Sequence, residues 1–173
     1  MNCPCCNARV IPGDPWCPDC WTPLANEGSA IPQDRVEWSL LRDTVTKLGP
    51  NKAPIYPRAT PVGFVLEGME QAKSTSAILI TDDGLIDGLL TEHDVLDRIA
   101  PLGPSGLELP VYRFMTKNPQ TINENESLAR VVQIMDGTGY RHLPVVRAGR
   151  PVGMITVGVL MRHFRELCGD ALG

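Results

Sequence analysis

From residue 50 onward the chain aligns with itself at an offset of 65 to 66 positions. SAILITDDGLIDGLLTEHDVLDRI (Ser76 to Ile99) lies over RHLPVVRAGRPVGMITVGVLMRHF (Arg141 to Phe164), which sets Gly88 over Gly153, Thr91 over Thr156 and Val95 over Leu160. Upstream, Val62, Val65, Leu66 and Met69 lie over Leu128, Val131, Val132 and Met135 with a one-residue shift. A duplicated segment of this length folds as two copies of one supersecondary unit that bury their apolar faces together. Each copy reads as an extended lead-in, an amphipathic helix, a buried strand, a glycine turn (Asp83-Gly84; Ala148-Gly149), a second strand and a second helix. The expected class is α+β, with two β-α-β-β-α repeats in a pseudo-twofold pair.

In both copies a Gly-x-x-Thr segment ends a strand and opens a helix capped by Thr91 or Thr156. Free amides at such a terminus favour a phosphate or carboxylate, and the glycine lets a ligand approach the backbone. A capping threonine on its own is an ordinary structural device, so this signal needs company.

Five of the six cysteines fall in the first 20 residues. Cys3 with Cys6 and Cys17 with Cys20 form two C-x2-C pairs, each with a proline beside its first cysteine, and four thiolates at this spacing can close a tetrahedron around Zn2+. A redox C-x-x-C is the rival reading, but no thioredoxin-like strand precedes either pair. A segment of about 25 residues cannot bury enough surface to fold alone, so metal would supply much of its folding free energy. Trp16, Trp21 and Leu24 would be its packing residues. NCPCCNARVIPGDPWCPDCWTPL (Asn2 to Leu24) resembles the short zinc-ribbon family, departing from it where Asn7 and Trp21 replace the usual glycines and where Cys5 adds a fifth thiol. Residues 25–34, small and polar, read as a flexible joint. From Pro32 to Leu48, Val36, Leu40, Leu41, Val45 and Leu48 recur at helical spacing and predict one leading helix ended by Gly49-Pro50. The expected organisation is a zinc ribbon at 1–25, linker and leading helix at 26–49, and repeats at 50–108 and 109–173.

Phe114-Met115-Thr116, the TINENESL lead into a helix, Arg141-His142-Leu143-Pro144-Val145-Val146, the two Gly-x-x-Thr segments and Asp94-Val95-Leu96 together resemble a tandem pair of cystathionine-beta-synthase (CBS) domains over about residues 50–167. The resemblance implies adenine-nucleotide binding in a cleft between repeats. Gly88, Thr91 and Asp94 would come from one repeat, with Asp94 on the ribose hydroxyls. Ile122 near the base, and Arg141 and His142 at the phosphate, would come from the other. The pseudo-symmetric cleft has Val159 in place of the aspartate, and Ser76 and Ala77 in place of the phosphate ligands, so one competent and one degenerate cleft are expected. CBS pairs commonly dimerise, which implies a homodimer.

Charge is polarised: residues 51–110 hold nine acids against four bases, and residues 111–165 eight bases against three acids. A ligand bridging an acidic ribose anchor and basic phosphate ligands suits that split. Against it, Asp94 would serve equally as a cap and Arg141 as a solvated charge. The net charge of −4, with Arg9 the single base in residues 1–30, disfavours nucleic acid as a partner. No P-loop, G-x-S-x-G or H-E-x-x-H is present, His93, His142 and His163 fall in repeat segments, and Cys168 is a lone thiol, so no enzyme is expected. With no apolar run long enough to span a bilayer and no basic, apolar leader, a cytoplasmic protein without membrane contact is expected. The preferred function is a non-catalytic module that relays the state of an adenine-nucleotide cleft to a protein partner or to the ribbon surface. The alternative is a zinc-ribbon adaptor that uses the pair only to dimerise.

Overall fold

The computed structural model describes residues 35–169 and, in the cysteine-rich segment, residues 3, 6, 8, 9, 17, 19 and 20. Cys5, Trp16, Trp21, Leu24, the joint at 25–34 and the expected helix start at Pro32 lie outside the described residues. The leading segment forms two helices rather than one, α1 (Arg35–Arg42) and α2 (Val45–Leu48). The break has a clear cause. Thr44 is extended, and the amides of Val45 and Thr46 donate to the carbonyls of Glu126 and Glu124 at 2.9 and 3.0 Å instead of to the preceding turn. Val45 is thereby driven, fully buried, into the core of the second repeat.

The first repeat runs β1 (Ile55–Pro57), α3 (Val62–Gln71), β2 (Ser76–Ile80), β3 (Ile86–Thr91) and α4 (Glu92–Asp94). After the two-residue β4 (Thr116–Lys117), the second runs β5 (Ile122–Asn123), α5 (Leu128–Thr138), β6 (His142–Arg147), β7 (Arg150–Thr156) and α6 (Val157–Gly169). The element order is the one the repeat predicts. In each repeat the lead-in strand pairs parallel with the next strand, which in turn forms an antiparallel hairpin. Val62, Val65 and Met69 on α3, and Leu128, Val131 and Met135 on α5, recur at turn spacing and are buried. β2 is covered on both faces: Ala77 and Leu79 pack with the helices of their own repeat, while Ile78 meets Leu89 and Met154 where the two sheets adjoin.

The last helix of the first repeat is not the counterpart of α6. Three α-helical residues run into a π turn (Val95–Ile99) and then 3-10 segments through Glu108, whereas α6 spans 13 residues. Pro101 and Pro104 cannot donate to an α-ladder, and Gly103 sits at φ 61°, so the chain leaves the helix there. The following residues Val111, Phe114 and Met115 pack in the first repeat's core, although the sequence boundary at 109 groups them with the second.

Each sheet is completed by the chain leading into the other repeat. β4 pairs with β3, and in the second sheet Asn51 bridges to Met154 at the matching place. This crossing explains both motif glycines. A Cβ on Gly88 would lie 2.3 Å from the Met115 Sδ, and one on Gly153 would lie 2.9 Å from the Asn51 carbonyl oxygen. The glycines admit backbone and side chain of the crossing segment.

Strand pairing also corrects the alignment of the two copies. Leu79 pairs with Gly88 and Val145 with Gly153, so the two first strands correspond at an offset of 66 while the second strands correspond at 65. The first hairpin holds the extra residue. Thr75 and Ser76, not Ser76 and Ala77, therefore occupy the places of Arg141 and His142.

Candidate functional site

A cavity of about 720 Å³ opens between the start of α4 in the first repeat and the chain from Gly139 to His142 in the second. Thr91, the last residue of β3, caps α4 in a reciprocal box: its hydroxyl accepts from the Asp94 amide at 3.4 Å, and Asp94 Oδ2 accepts from the Thr91 amide at 3.0 Å and hydroxyl at 2.7 Å. Asp94 is 5% exposed, and among the described residues its second oxygen is met by Arg98, whose Nη1 stands 3.5 Å away and donates to the Phe114 carbonyl at 2.9 Å. A carboxylate offers about four acceptor positions, so Asp94 can cap the helix and still accept from a ligand.

Across the cavity, Gly139 ends α5 in a left-handed conformation at φ 72° and turns the chain so that Tyr140, Arg141 and His142 border the opening. Arg141 is exposed and has no ion-pair partner among the described residues. His142 is half-buried, with Nε2 3.0 Å from the Thr75 hydroxyl. Desolvation lowers its pKa below the ordinary 6.5, only partly offset by the carboxylates of Glu92 and Asp94, while Arg141 lowers it further.

Of the residues read from sequence, Thr91, Asp94, Arg141 and His142 border one cavity. Gly88 and Ile122 do not. Gly88 is covered by the crossing Met115, and Ile122 is 3% exposed, its side chain in the second repeat's core. Thr116, Pro119 and Gln120, just upstream of Ile122, line the cavity instead. Tyr140 and Arg98 also escaped the sequence reading, although an aromatic between a helix-ending glycine and two cationic candidates was a usable signal. With only three α-helical residues in α4, the helix-terminus argument for an anion carries little weight, and the positive charge here comes from arginine side chains.

Residues 47–101 and 111–166 match the CBS domain family. The chain belongs to that family. It is 30% identical over 115 residues to the CBS domain-containing protein CBSCBSPB1 of Arabidopsis thaliana, a match covering 66% of this chain and 21% of that one. The chain thus spans about a fifth of the length of such curated relatives. Among solved structures, an uncharacterized conserved protein from Pyrococcus horikoshii is similar at 28% identity and a TM-score of 0.63, over 70% of this chain and 92% of that one. CBSX2, solved in complex with AMP, is similar at 26% identity and a TM-score of 0.58, over 71% and 96%.

Outside the CBS pair, Cys3, Cys6, Cys17 and Cys20 bring their sulfurs within 4.8 Å of one another. The short contacts, each 3.5 Å, join Cys3 to Cys20 and Cys6 to Cys17, across the two C-x2-C pairs. A tetrahedron with Zn–S bonds of about 2.3 Å has sulfurs roughly 3.8 Å apart, so this donor set fits zinc in number, type and spacing. The Ala8 amide lowers the Cys6 pKa, but Cys20, desolvation, Cys17 and Cys3 outweigh it and push it up to about 12. Four sulfurs this close share protons unless a cation replaces them.

A serine, an aspartate and a histidine also meet where α1 lies against α6. Ser39, 4% exposed, donates its hydroxyl proton to Asp43 Oδ2 at 2.6 Å, so at its 2.7 Å contact with His163 Nε2 it accepts from the ring. That polarity is opposite to a nucleophile and its base. Burial pushes Asp43 up, but hydrogen bonds from Lys47 and Ser39 hold its pKa below the usual carboxylate range. The cluster fastens α1 to the second repeat.

Proposed function

We propose that the chain is a non-catalytic regulatory module that binds an adenine nucleotide in the cleft between Asp94 and Arg141, and that nucleotide occupancy changes how the module meets a protein partner. The carrying observation is that one cavity is bordered by an acceptor carboxylate from the first repeat and a free guanidinium from the second. In this reading Asp94 accepts from the ribose hydroxyls, Tyr140 or Pro119 covers a face of the base, and Arg141 donates to the phosphate. The AMP complex of the similar CBSX2 supports the ligand class. Binding shifts a partner's response only by its different affinity for two states of the module. Zinc held by Cys3, Cys6, Cys17 and Cys20 would supply folding energy to the N-terminal segment, whose surface is the proposed relay, and the CBS pair would form a homodimer.

Titration calorimetry of the zinc-loaded chain with AMP tests this reading. One site per chain that Asp94→Ala abolishes is expected; absence of heat together with an unchanged Tm at millimolar AMP would overturn it. The second reading, an adaptor that uses the CBS pair only to dimerise, draws on Asp94 being already engaged by Thr91 as a cap. It predicts that Asp94→Ala alters stability and nothing else.

A further inference from the structure

Resting on that nucleotide reading, we infer that the cleft prefers adenosine ligands carrying at most one phosphate over the triphosphate, and that Glu92 sets the preference. The charged groups bordering the cavity are two acids, Glu92 and Asp94, and two bases, Arg98 and Arg141, with His93 and His142 beside them. Arg98 is engaged by Asp94 and by the Phe114 carbonyl. Burial lowers the His142 pKa below its ordinary 6.5, which opposes a charge on its ring. One guanidinium, Arg141, is left for phosphate.

Glu92 approaches that guanidinium from the first repeat: its amide donates to the Thr75 carbonyl at 3.1 Å, and the Thr75 hydroxyl lies 3.0 Å from Nε2 of His142, the residue after Arg141. Glu92, Arg141 and His142 border the same cavity, so the acid lies in the field that a phosphate chain would enter. Glu92 is exposed and has no ion-pair partner among the described residues, so its charge is uncompensated. A phosphomonoester carries about −1.5 to −2 at pH 7, which one guanidinium can hold in bidentate contact. Each added phosphate brings negative charge past the one available cation and toward Glu92. A cleft built for a triphosphate would need further lysines or arginines, and among the described residues no others border this one.

The experiment is calorimetry with AMP, ADP and ATP in magnesium-free buffer, on the zinc-loaded chain and on Glu92→Gln. Magnesium is omitted because it would screen the added phosphates. Affinity should fall from AMP to ADP to ATP, with ATP about tenfold or more weaker, and Glu92→Gln should recover several-fold for ATP while moving AMP less. AMP binding with ATP equally tight or tighter overturns the charge preference and leaves the nucleotide reading standing. An ATP-to-AMP ratio unchanged by Glu92→Gln removes Glu92 from its role. No binding of any of the three overturns the nucleotide reading and this inference with it.

Discussion

The two repeats share one plan and diverge where their last helices begin. Asp94 and Arg98 in the first correspond to Val159 and His163 in the second. In the first, the carboxylate closes a capping box and faces an open cavity. In the second, Thr156 still accepts from the Val159 amide at 3.2 Å, but the Val159 side chain joins the core and His163 is bonded to Ser39 of α1. One position, two fates: the first repeat sets polar groups at the wall of a cavity, and the second uses the same positions to hold its own chain. Duplication followed by division of labour needs only these few side chains, because the glycine crossing and the threonine cap, which build the frame, are kept in both.

That frame can be broken unequally. Gly153→Ala should cost about 2–3 kcal/mol, because its Cβ meets Pro50 and the Asn51 carbonyl, which cannot move without shifting the bridge to Met154. Gly88→Ala should cost less, since its closest neighbour is the flexible Met115 thioether. Chemical denaturation of both variants measures the difference, and equal losses would show that the two crossings are equally rigid.

Asp94→Ala comes next. It should lower AMP affinity tenfold or more and, through the lost cap, stability by about 1 kcal/mol. Val159→Ala, at the matching position, should lower stability and leave AMP binding unchanged. Calorimetry beside thermal melts separates the two outcomes. Ser39→Ala should cost about 1 kcal/mol by unfastening α1, again without effect on AMP.

The smallest effect concerns pH. Folding keeps the His142 pKa below its ordinary 6.5, so as pH falls below that value the unfolded chain takes up a proton that the folded protein resists. This contribution to stability is fully present above pH 6.5 and is lost on acidification through the folded pKa. His142→Gln should flatten that slope in melts between pH 5 and 7. The matching residue, Ser76, has a buried hydroxyl without a partner among the described residues and adds no such slope.

Much of this was legible in the sequence, for identifiable reasons. Repetition gave the element order, turn-spaced Val62, Val65 and Met69 gave α3, and Thr91 announced its cap. The one-residue offset was hidden because Asp83-Gly84 over Ala148-Gly149 made an ungapped alignment look correct. Ile122 itself is needed in the core, while Pro119 and Gln120, three and two residues upstream, line the cavity. The break at Thr44 left no local signal at all, since it depends on carbonyls 80 residues away in sequence, those of Glu124 and Glu126. Zinc-ligand spacing, by contrast, is a local property, and the four sulfurs of Cys3, Cys6, Cys17 and Cys20 lie together as that spacing requires.

The crossing of the two lead-ins has one more consequence. The segment before the first repeat finishes the second, through Val45 and Asn51, and the segment before the second finishes the first, through Val111 and Thr116. The chain is therefore topologically circular in its dependencies, although linear in its bonds. Severing it near residue 109 would not yield two small domains but two incomplete halves, each holding the piece the other lacks, and such fragments should regain structure only when mixed.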